Sequence, residues 1–202
     1  MRPVPAAIVG YLLGSIPSAD LAARAATRGK TDLRTTGSGN PGTANAIAVL
    51  GPTWGYAVMA ADIGKGAAAS MVGGHVGAVA AVVGHCFPVW NGFRGGKGVA
   101  CSVGQCAVTF PAWFPFDMTL AAITSASPRW KQRAYASTVV ASICWVLAAT
   151  LWWHKRLPNL WGPEPTAALP AAAAASSAVI LYKFATSKPA QTAARVGRRP
   201  EA

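Results

Sequence analysis

From residue 134 to 153, and again from 167 to 182, this chain carries no charged side chain. Runs of that length have few places to go. About 20 mostly apolar residues form a helix that crosses the hydrocarbon layer of a bilayer. Five more apolar stretches follow the same pattern, at 4–23, 53–73, 75–90, 99–110 and 112–127. Residues 75–90, 99–110 and 112–127 are short for a crossing. Short or broken helices persist in membranes where they are buried in protein or line a polar cavity. The pattern predicts an all-α, polytopic integral membrane protein of about seven transmembrane helices. Six remain if 99–127 is a bent pair that does not cross twice. Residues 1–185 read as one transmembrane domain. Residues 186–202 read as a basic tail, expected to be disordered and to touch anionic lipid.

Composition agrees. The chain is 52% hydrophobic and 12% charged, with a mean hydropathy of +0.34; soluble domains carry about 25% charged residues. The net charge of +12 does not describe a nucleic-acid binder, because the cations form short clusters between uncharged runs instead of covering one face. The four cysteines make no CxxC pair and no zinc spacing, so they read as small packing residues. The N-terminal apolar stretch is interrupted by Gly14, Pro17 and Asp20 and reads as a first span, not a cleaved signal.

Cations also orient the chain, because Lys and Arg accumulate on the cytoplasmic side of a membrane protein. With seven spans, only Arg2, Lys155 and Arg156 of the 18 basic residues fall on one side. The other side is expected to be cytoplasmic. The N-terminus is then outside and the C-terminus inside.

Two glycine-rich polar loops share the cytoplasmic side. The stretch 92–104, GFRGGKGVACSVG, sets Arg94 and Lys97 among glycines at the end of an apolar run. It is not a nucleotide P-loop, which needs Gly, four residues, then Gly-Lys-Ser/Thr. With Gly96-Lys97 as the Gly-Lys pair, Asn91 and Gly98 occupy the required Gly and Ser/Thr positions. The physics of phosphate capture remains. Gly95, Gly96 and Gly98 let backbone N–H groups approach an anion. A helix starting near Val99 would turn its positive end to the same point, and Arg94 and Lys97 add charge. A flexible loop anchored by interfacial cations would carry the same residues.

The other loop contains GSGNPGTAN, 37–45. Gly37, Ser38, Gly39, Asn40, Thr43 and Asn45 offer hydroxyl and amide groups with little bulk, although such residues also dominate ordinary turns. In DIGKG, 62–66, Lys65 either neutralises Asp62 one helical turn away or serves a ligand. His85, in GHCFP, immediately precedes the glycine loop. Of the six acids, only Asp32 and Asp62 fall near these loops, while Asp20 and Asp117 lie within spans without an obvious partner. No Ser–His–Asp triad, HxxxxD motif or metal-ligand cluster is recognisable. Any reaction would rely on positioning and charge stabilisation.

The segments YLLGSIPSA (11–19), GSGNPGTAN (37–45), DIGKG (62–66) and GHCFPVWNGFRGGKGVA (84–100) resemble, in order and spacing, the bacterial integral-membrane glycerol-3-phosphate acyltransferases that use acyl phosphate, the PlsY family. The resemblance implies a bacterial inner-membrane enzyme with its site facing the cytoplasm. Its substrates would be acyl phosphate and glycerol 3-phosphate, its product lysophosphatidic acid, and it would need no cofactor or metal. It assigns catalytic roles to Ser38, His85 and Lys97. It assigns substrate binding to Gly37, Gly39, Asn40, Asn45, Lys65, Arg94, Gly95, Gly96 and Gly98. A substrate phosphate oxygen would take the hydroxyl proton, so no dedicated base is expected.

Two segments depart from the family pattern. Ala48 stands where the usual GATNxxR places Arg, and LYKFATSKPAQT (181–192) stands where a motif resembling HRENI is usual. Each change removes charge-assisted contacts to a phosphate, on the order of 1.5–3 kcal/mol apiece. Lys183 or Lys188 would have to replace them. A non-catalytic relative of this fold, or a small transporter of a phosphorylated solute, are the alternatives the same loops allow.

Overall fold

The computed structural model describes residues 1–129 and 132–187. Among them are eight α-helices, one 3-10 turn and no strand. The helices are α1 (Pro3–Gly14), α2 (Ser18–Thr27), α3 (Thr43–Leu50), α4 (Pro52–Cys86), α5 (Val99–Thr109), α6 (Phe114–Ala126), α7 (Arg133–Lys155) and α8 (Ala168–Thr186), with the 3-10 turn Val89–Asn91 between α4 and α5. Long apolar helices at 133–155 and 168–186 match the two uncharged runs. The basic tail expected at 186–202 lies outside the described residues from 188 onward, as do Lys131 and Lys188.

The expected first span is not continuous. It breaks at Ser15–Pro17 into α1 and α2. Pro17 has no N–H and biases Ile16 away from helical geometry. α2 is amphipathic, burying Ser18, Ala19, Ala22 and Ala23 while Leu21 and Arg24 stay exposed. The polar loop read around GSGNPGTAN, 37–45, runs into a helix, α3, from Thr43, which the turn residues before it conceal.

α4 folds back on itself. Gly74 breaks the helix with φ +56° and ψ −147°, a combination available essentially to glycine alone. A straight helix would separate Asp62 from His85 by about 34 Å, yet their side chains approach to 3.4 Å. α4 is therefore two antiparallel arms, 52–73 and 75–86, and the break falls where the sequence separates its second and third spans. The second arm ends at Cys86, short of the expected 90, because Pro88 cannot continue it.

The arms form the centre of the bundle. α1 lies against the second arm, where side chains on Gly10 and Gly14 would overlap the backbone of Gly77 and Ala81. α5 lies as closely against the first, with Gly66 on Cys101 and Gly104 on Ile63. Small residues allow this contact, and in lipid such packing replaces the hydrophobic drive. α2 and α3 cover the start of the first arm, where Ala19, Ala22, Ala23, Leu33, Ala46 and Val58 form a core. A second core, Cys106, Phe110, Trp145, Ala149, Leu169 and Ala173, joins α5, α7 and α8. Cys86, Cys101 and Cys106 are buried free thiols, as packing residues would be.

Candidate functional site

The helix break at Ser15–Pro17 frees backbone carbonyls, and one of them organises the site. Lys65 Nζ donates to Ile16 O at 2.9 Å and lies 2.9 Å from Asp62 Oδ1. The same carboxylate oxygen lies 3.4 Å from His85 Nδ1 on the opposite arm. Asp62 is 2% exposed, Lys65 and His85 8% each. Of the two roles that the sequence left open, the structure shows the pairing with Asp62, and it also sets Lys65 against a cavity. The DIGKG segment lies inside the first arm, level with the end of the second, not at the arm's own end.

That cavity is a narrow polar cleft of about 20 Å³. It opens among Ser18, Asp20, Arg34, Asp62, Lys65 and His85, with Asn91, Gly95 and Gly96 on its rim. Ser18 Oγ is buried and unpartnered among the described residues.

Asp20 has the partner that the sequence did not reveal. The Arg34 guanidinium grips its carboxylate with two parallel bonds, Nη1 to Oδ1 at 2.7 Å and Nη2 to Oδ2 at 2.6 Å. Asn91 Nδ2 donates to Oδ2 at 2.6 Å. Arg34 Nε also donates to Arg94 O at 3.1 Å. One arginine therefore ties α2, the first loop, the 3-10 turn and the glycine loop together, and hydrogen bonding to Asp20 raises its pKa further above the ordinary arginine value. A bidentate Arg–carboxylate pair fixes orientation as well as energy. The signal for it was Asp20 itself, because an acid within an apolar segment almost always has a partner.

The glycine loop lies directly on His85. Gly95 N–H donates to Cys86 O at 3.2 Å. A side chain on Gly96 would strike His85 Nε2, with Pro41 O also close. Glycine at 96 therefore lets the loop backbone pack directly on the imidazole and lets the two loops touch. Gly98, at φ +87°, starts α5 at Val99 as expected. Lys97 turns the other way, its Nζ 4.1 Å over the Phe184 ring of α8. Burial lowers its pKa below the ordinary lysine value. Reciprocally, Lys183 Nζ on α8 sits 4.9 Å over the ring of Phe87. Both are cation–π contacts.

The first loop is built around Asn45, 3% exposed. Its Nδ2 donates to Leu33 O (2.9 Å) and Thr36 O (3.0 Å), and its Oδ1 accepts from Ser38 N–H (2.8 Å). All its hydrogen-bonding atoms are engaged by the loop backbone, while Gly37, Ser38 and Gly39 form an exposed lip. The structure thus gathers Lys65, His85, Gly95 and Gly96 into the cleft. It places Lys97 and Gly98 on the α8 side of the glycine loop, the Arg94 side chain outside, Ser38 and Asn40 on a neighbouring loop, and Asn45 in the first turn of α3 beneath that loop. Ser18, Asp20, Arg34 and Asn91, not singled out from sequence, join the cleft. Ala48 is exposed on α3.

Beside the cleft runs an apolar groove of about 300 Å³, lined by Ile16, Leu21, Ala22, Trp54, Val58 and Ala61. Ile16 and Ser18 line both.

The bundle is that of an integral membrane protein, with a polar cleft in which Arg34–Asp20 and Lys65–Asp62 form closed pairs beside an apolar groove. The chain belongs to the glycerol-3-phosphate acyltransferase family, whose model matches residues 4–188. The glycerol-3-phosphate acyltransferase of Exiguobacterium sibiricum is 46% identical over 115 residues, 53% of this chain and 55% of the relative. Glycerol-3-phosphate acyltransferase 2 of Dehalococcoides mccartyi is 35% identical over 158 residues, 74% of this chain and 73% of the relative. The matched region thus spans about half the length of relatives such as the Exiguobacterium protein. The crystal structure of PlsY, an integral membrane glycerol 3-phosphate acyltransferase, in its glycerol 3-phosphate form superposes with a TM-score of 0.71 at 26% identity, covering 92% of this chain and 89% of that one. Its lysophosphatidic acid form gives 0.68 at 25% identity, covering 91% and 88%.

Proposed function

We propose that the protein transfers the acyl group of an acyl phosphate to the sn-1 hydroxyl of glycerol 3-phosphate, releasing lysophosphatidic acid and inorganic phosphate, at the cytoplasmic face of a bacterial plasma membrane. The observation that carries this reading is the meeting of two surfaces at the α1–α2 break. The glycine loop, with the polar cleft on one side and Lys97, unpaired among the described residues, on the other, suits the phosphate end of a substrate, and the adjoining apolar groove suits an acyl tail. Family membership and the likeness to PlsY support the same chemistry. The excess of cations on the loop-bearing side supports the orientation.

In this reading the backbone at Gly95, Gly96 and Gly98, the first turn of α5 and the Lys97 ammonium hold a phosphate. Arg94 lends charge at the rim. Gly37, Ser38, Gly39 and Asn40 form the lip over the site, and Asn45 holds that lip in shape. Lys183, over the Phe87 ring from α8, supplies positive charge in place of the arginine replaced by Ala48 and of the residues absent from the altered 181–192 segment. Lys97 and Lys183 rest on aromatic rings and carry no carboxylate partner among the described residues, so a dianion can recruit them without breaking an ion pair. The test is incorporation of labelled glycerol 3-phosphate into lipid by the vesicle-reconstituted protein. Acyl phosphate should support it and acyl-CoA should not; incorporation driven only by acyl-CoA would overturn the donor assignment.

A further inference from the structure

The turn between the second arm of α4 and the glycine loop carries more exposed apolar surface than its polar setting explains. Residues 75–90 read as one span in the sequence, but the arm ends at Cys86. Val89 and Trp90 therefore fall in the 3-10 turn, and Phe93 in the loop after it. They are 40%, 63% and 58% exposed. None of the three lines the cleft or the apolar groove. Clustered exposed apolar side chains mark a surface that meets something.

The turn is held in this shape. The N–H groups of Asn91 and Phe93 both donate to Pro88 O, at 3.2 and 3.0 Å. Arg94 N–H donates to Asn91 O at 3.1 Å, and Gly95 N–H to Cys86 O at 3.2 Å. The Asn91 side chain is fixed on Asp20, and Arg94 O accepts from Arg34 Nε. Phe93 has φ +62°, a left-handed geometry that bulky residues rarely adopt, and its ring stays exposed. The frame that borders the cleft thus keeps a Val, a Trp and a Phe out of the core.

The neighbours of the turn point to lipid as its cover. Phe87, at the start of the turn, lies beside Tyr182 of α8, ring centroids 6.3 Å apart. The Tyr11 hydroxyl of α1 donates to Phe87 O at 2.7 Å. Tyr182 and Leu12, the residue after Tyr11, are both exposed, in segments apolar enough to face the bilayer. The turn therefore continues the lipid-facing surface of α1 and α8 beyond the end of the arm. Arg94, exposed next to Phe93, adds a cation. Aromatic rings beside a cation suit the membrane–water interface, where the rings sit at headgroup level and the cation meets anionic lipid.

We propose that residues 89–94 are a membrane-seated turn. Val89, Trp90 and Phe93 enter the headgroup region of the leaflet on the loop-bearing side, with Arg94 at the level of the lipid phosphates. Because Gly95 and Gly96 follow directly, the seat holds the glycine loop at the depth where the phosphate of a lipid-borne substrate lies. This depth-setting role rests on the acyl-transfer reading above; the seating itself does not.

The seating is tested by tryptophan quenching in vesicles of phosphatidylcholine and phosphatidylglycerol whose acyl chains carry bromine at defined depths. The fluorescence of the native protein minus that of Trp90→Phe isolates Trp90. It should be quenched most by the bromines nearest the headgroups and shielded from iodide in the water. A Trp90 open to iodide and untouched by bromine would overturn the seating and leave this face to a protein partner. The depth-setting role is tested with Trp90→Ser and Phe93→Ser combined, assayed in vesicles. KM for palmitoyl phosphate should rise about tenfold, equivalent to about 1.4 kcal/mol. kcat and the KM for glycerol 3-phosphate, which arrives from water, should stay unchanged. Equal rises in both KM values, or no rise, would overturn that role. If the double variant fails to fold, judged by thermal unfolding in detergent, Trp90→Ser alone is assayed against the same outcomes. A native protein that turns over neither substrate would overturn the acyl-transfer reading and the depth-setting role with it, while the quenching still decides the seating.

Discussion

Replacing Asn45 with alanine separates two roles for this residue, contact with substrate and construction of the loop. The side chain makes three hydrogen bonds, all to backbone between residues 33 and 38. Leu33 O is fully enclosed, because Leu33 is 0% exposed, so its carbonyl loses its partner without water to replace it. That costs about 1–3 kcal/mol. Thr36 is partly exposed and Ser38 exposed, so water recovers part of the other two bonds, and each contributes the smaller net value of about 0.5 kcal/mol. The sum is about 2–4 kcal/mol, concentrated in the loop. Amide hydrogen exchange in detergent or nanodiscs should show residues 35–42 of Asn45→Ala exchanging at least about thirtyfold faster, since 1.4 kcal/mol is a factor of ten. The transmembrane arms should remain protected. Loss of activity should follow the loss of loop order. If loop exchange is unchanged while KM for one substrate rises steeply, Asn45 contacts substrate directly and the structural argument is wrong.

Four further outcomes are expected. Lys97→Met should cost at least about tenfold in kcat/KM for phosphate-bearing substrate, the equivalent of one charge-assisted hydrogen bond; full turnover would remove Lys97 from the site. Because burial lowers the Lys97 pKa, the native protein should lose its phosphate-binding charge, and activity, as pH rises toward a value below that of an exposed lysine. Lys97→Arg, which stays protonated, should move that alkaline limb upward in the same rate assay. Gly74→Ala should destabilise the hairpin by about 1–3 kcal/mol, read as a lowered thermal midpoint in detergent. Lys183→Met should raise KM for glycerol 3-phosphate or acyl phosphate while Lys183→Arg restores it; unchanged kinetics in Lys183→Met would mean that α8 lends no charge to the site.

The membrane-spanning character was legible because hydrophobicity acts through composition and length alone. The two uncharged runs became α7 and α8, with ends shifted by one to four residues, and Gly74 separated its two spans. Local punctuation was harder to weigh. Pro17 read as an interruption that the first span would absorb, yet it divides α1 from α2 and frees the carbonyl that Lys65 takes. α3 was hidden because GSGNPGT looks like turn chemistry up to the residue where the helix begins.

The site was legible where one segment carries it, as in the glycine loop beside His85. It was not legible where partners come from afar. Asp20, Arg34 and Asn91 meet across three elements, and nothing in spacing joins them. The Asp62–His85 contact exists only because α4 reverses at Gly74. Asn45 shows the converse: its residue type suggested a ligand contact, and only the geometry showed its amide turned inward on the loop.

The central claim is that this bundle moves an acyl group from phosphate to glycerol 3-phosphate. It is tested most directly by following inorganic phosphate released from palmitoyl phosphate by purified, lipid-reconstituted protein, with and without glycerol 3-phosphate. Release that requires glycerol 3-phosphate and matches lysophosphatidic acid one for one is the predicted result. It would show that the chemistry operates with Ala48 and the altered 181–192 segment in place. No release, or release indifferent to glycerol 3-phosphate, would contradict the account.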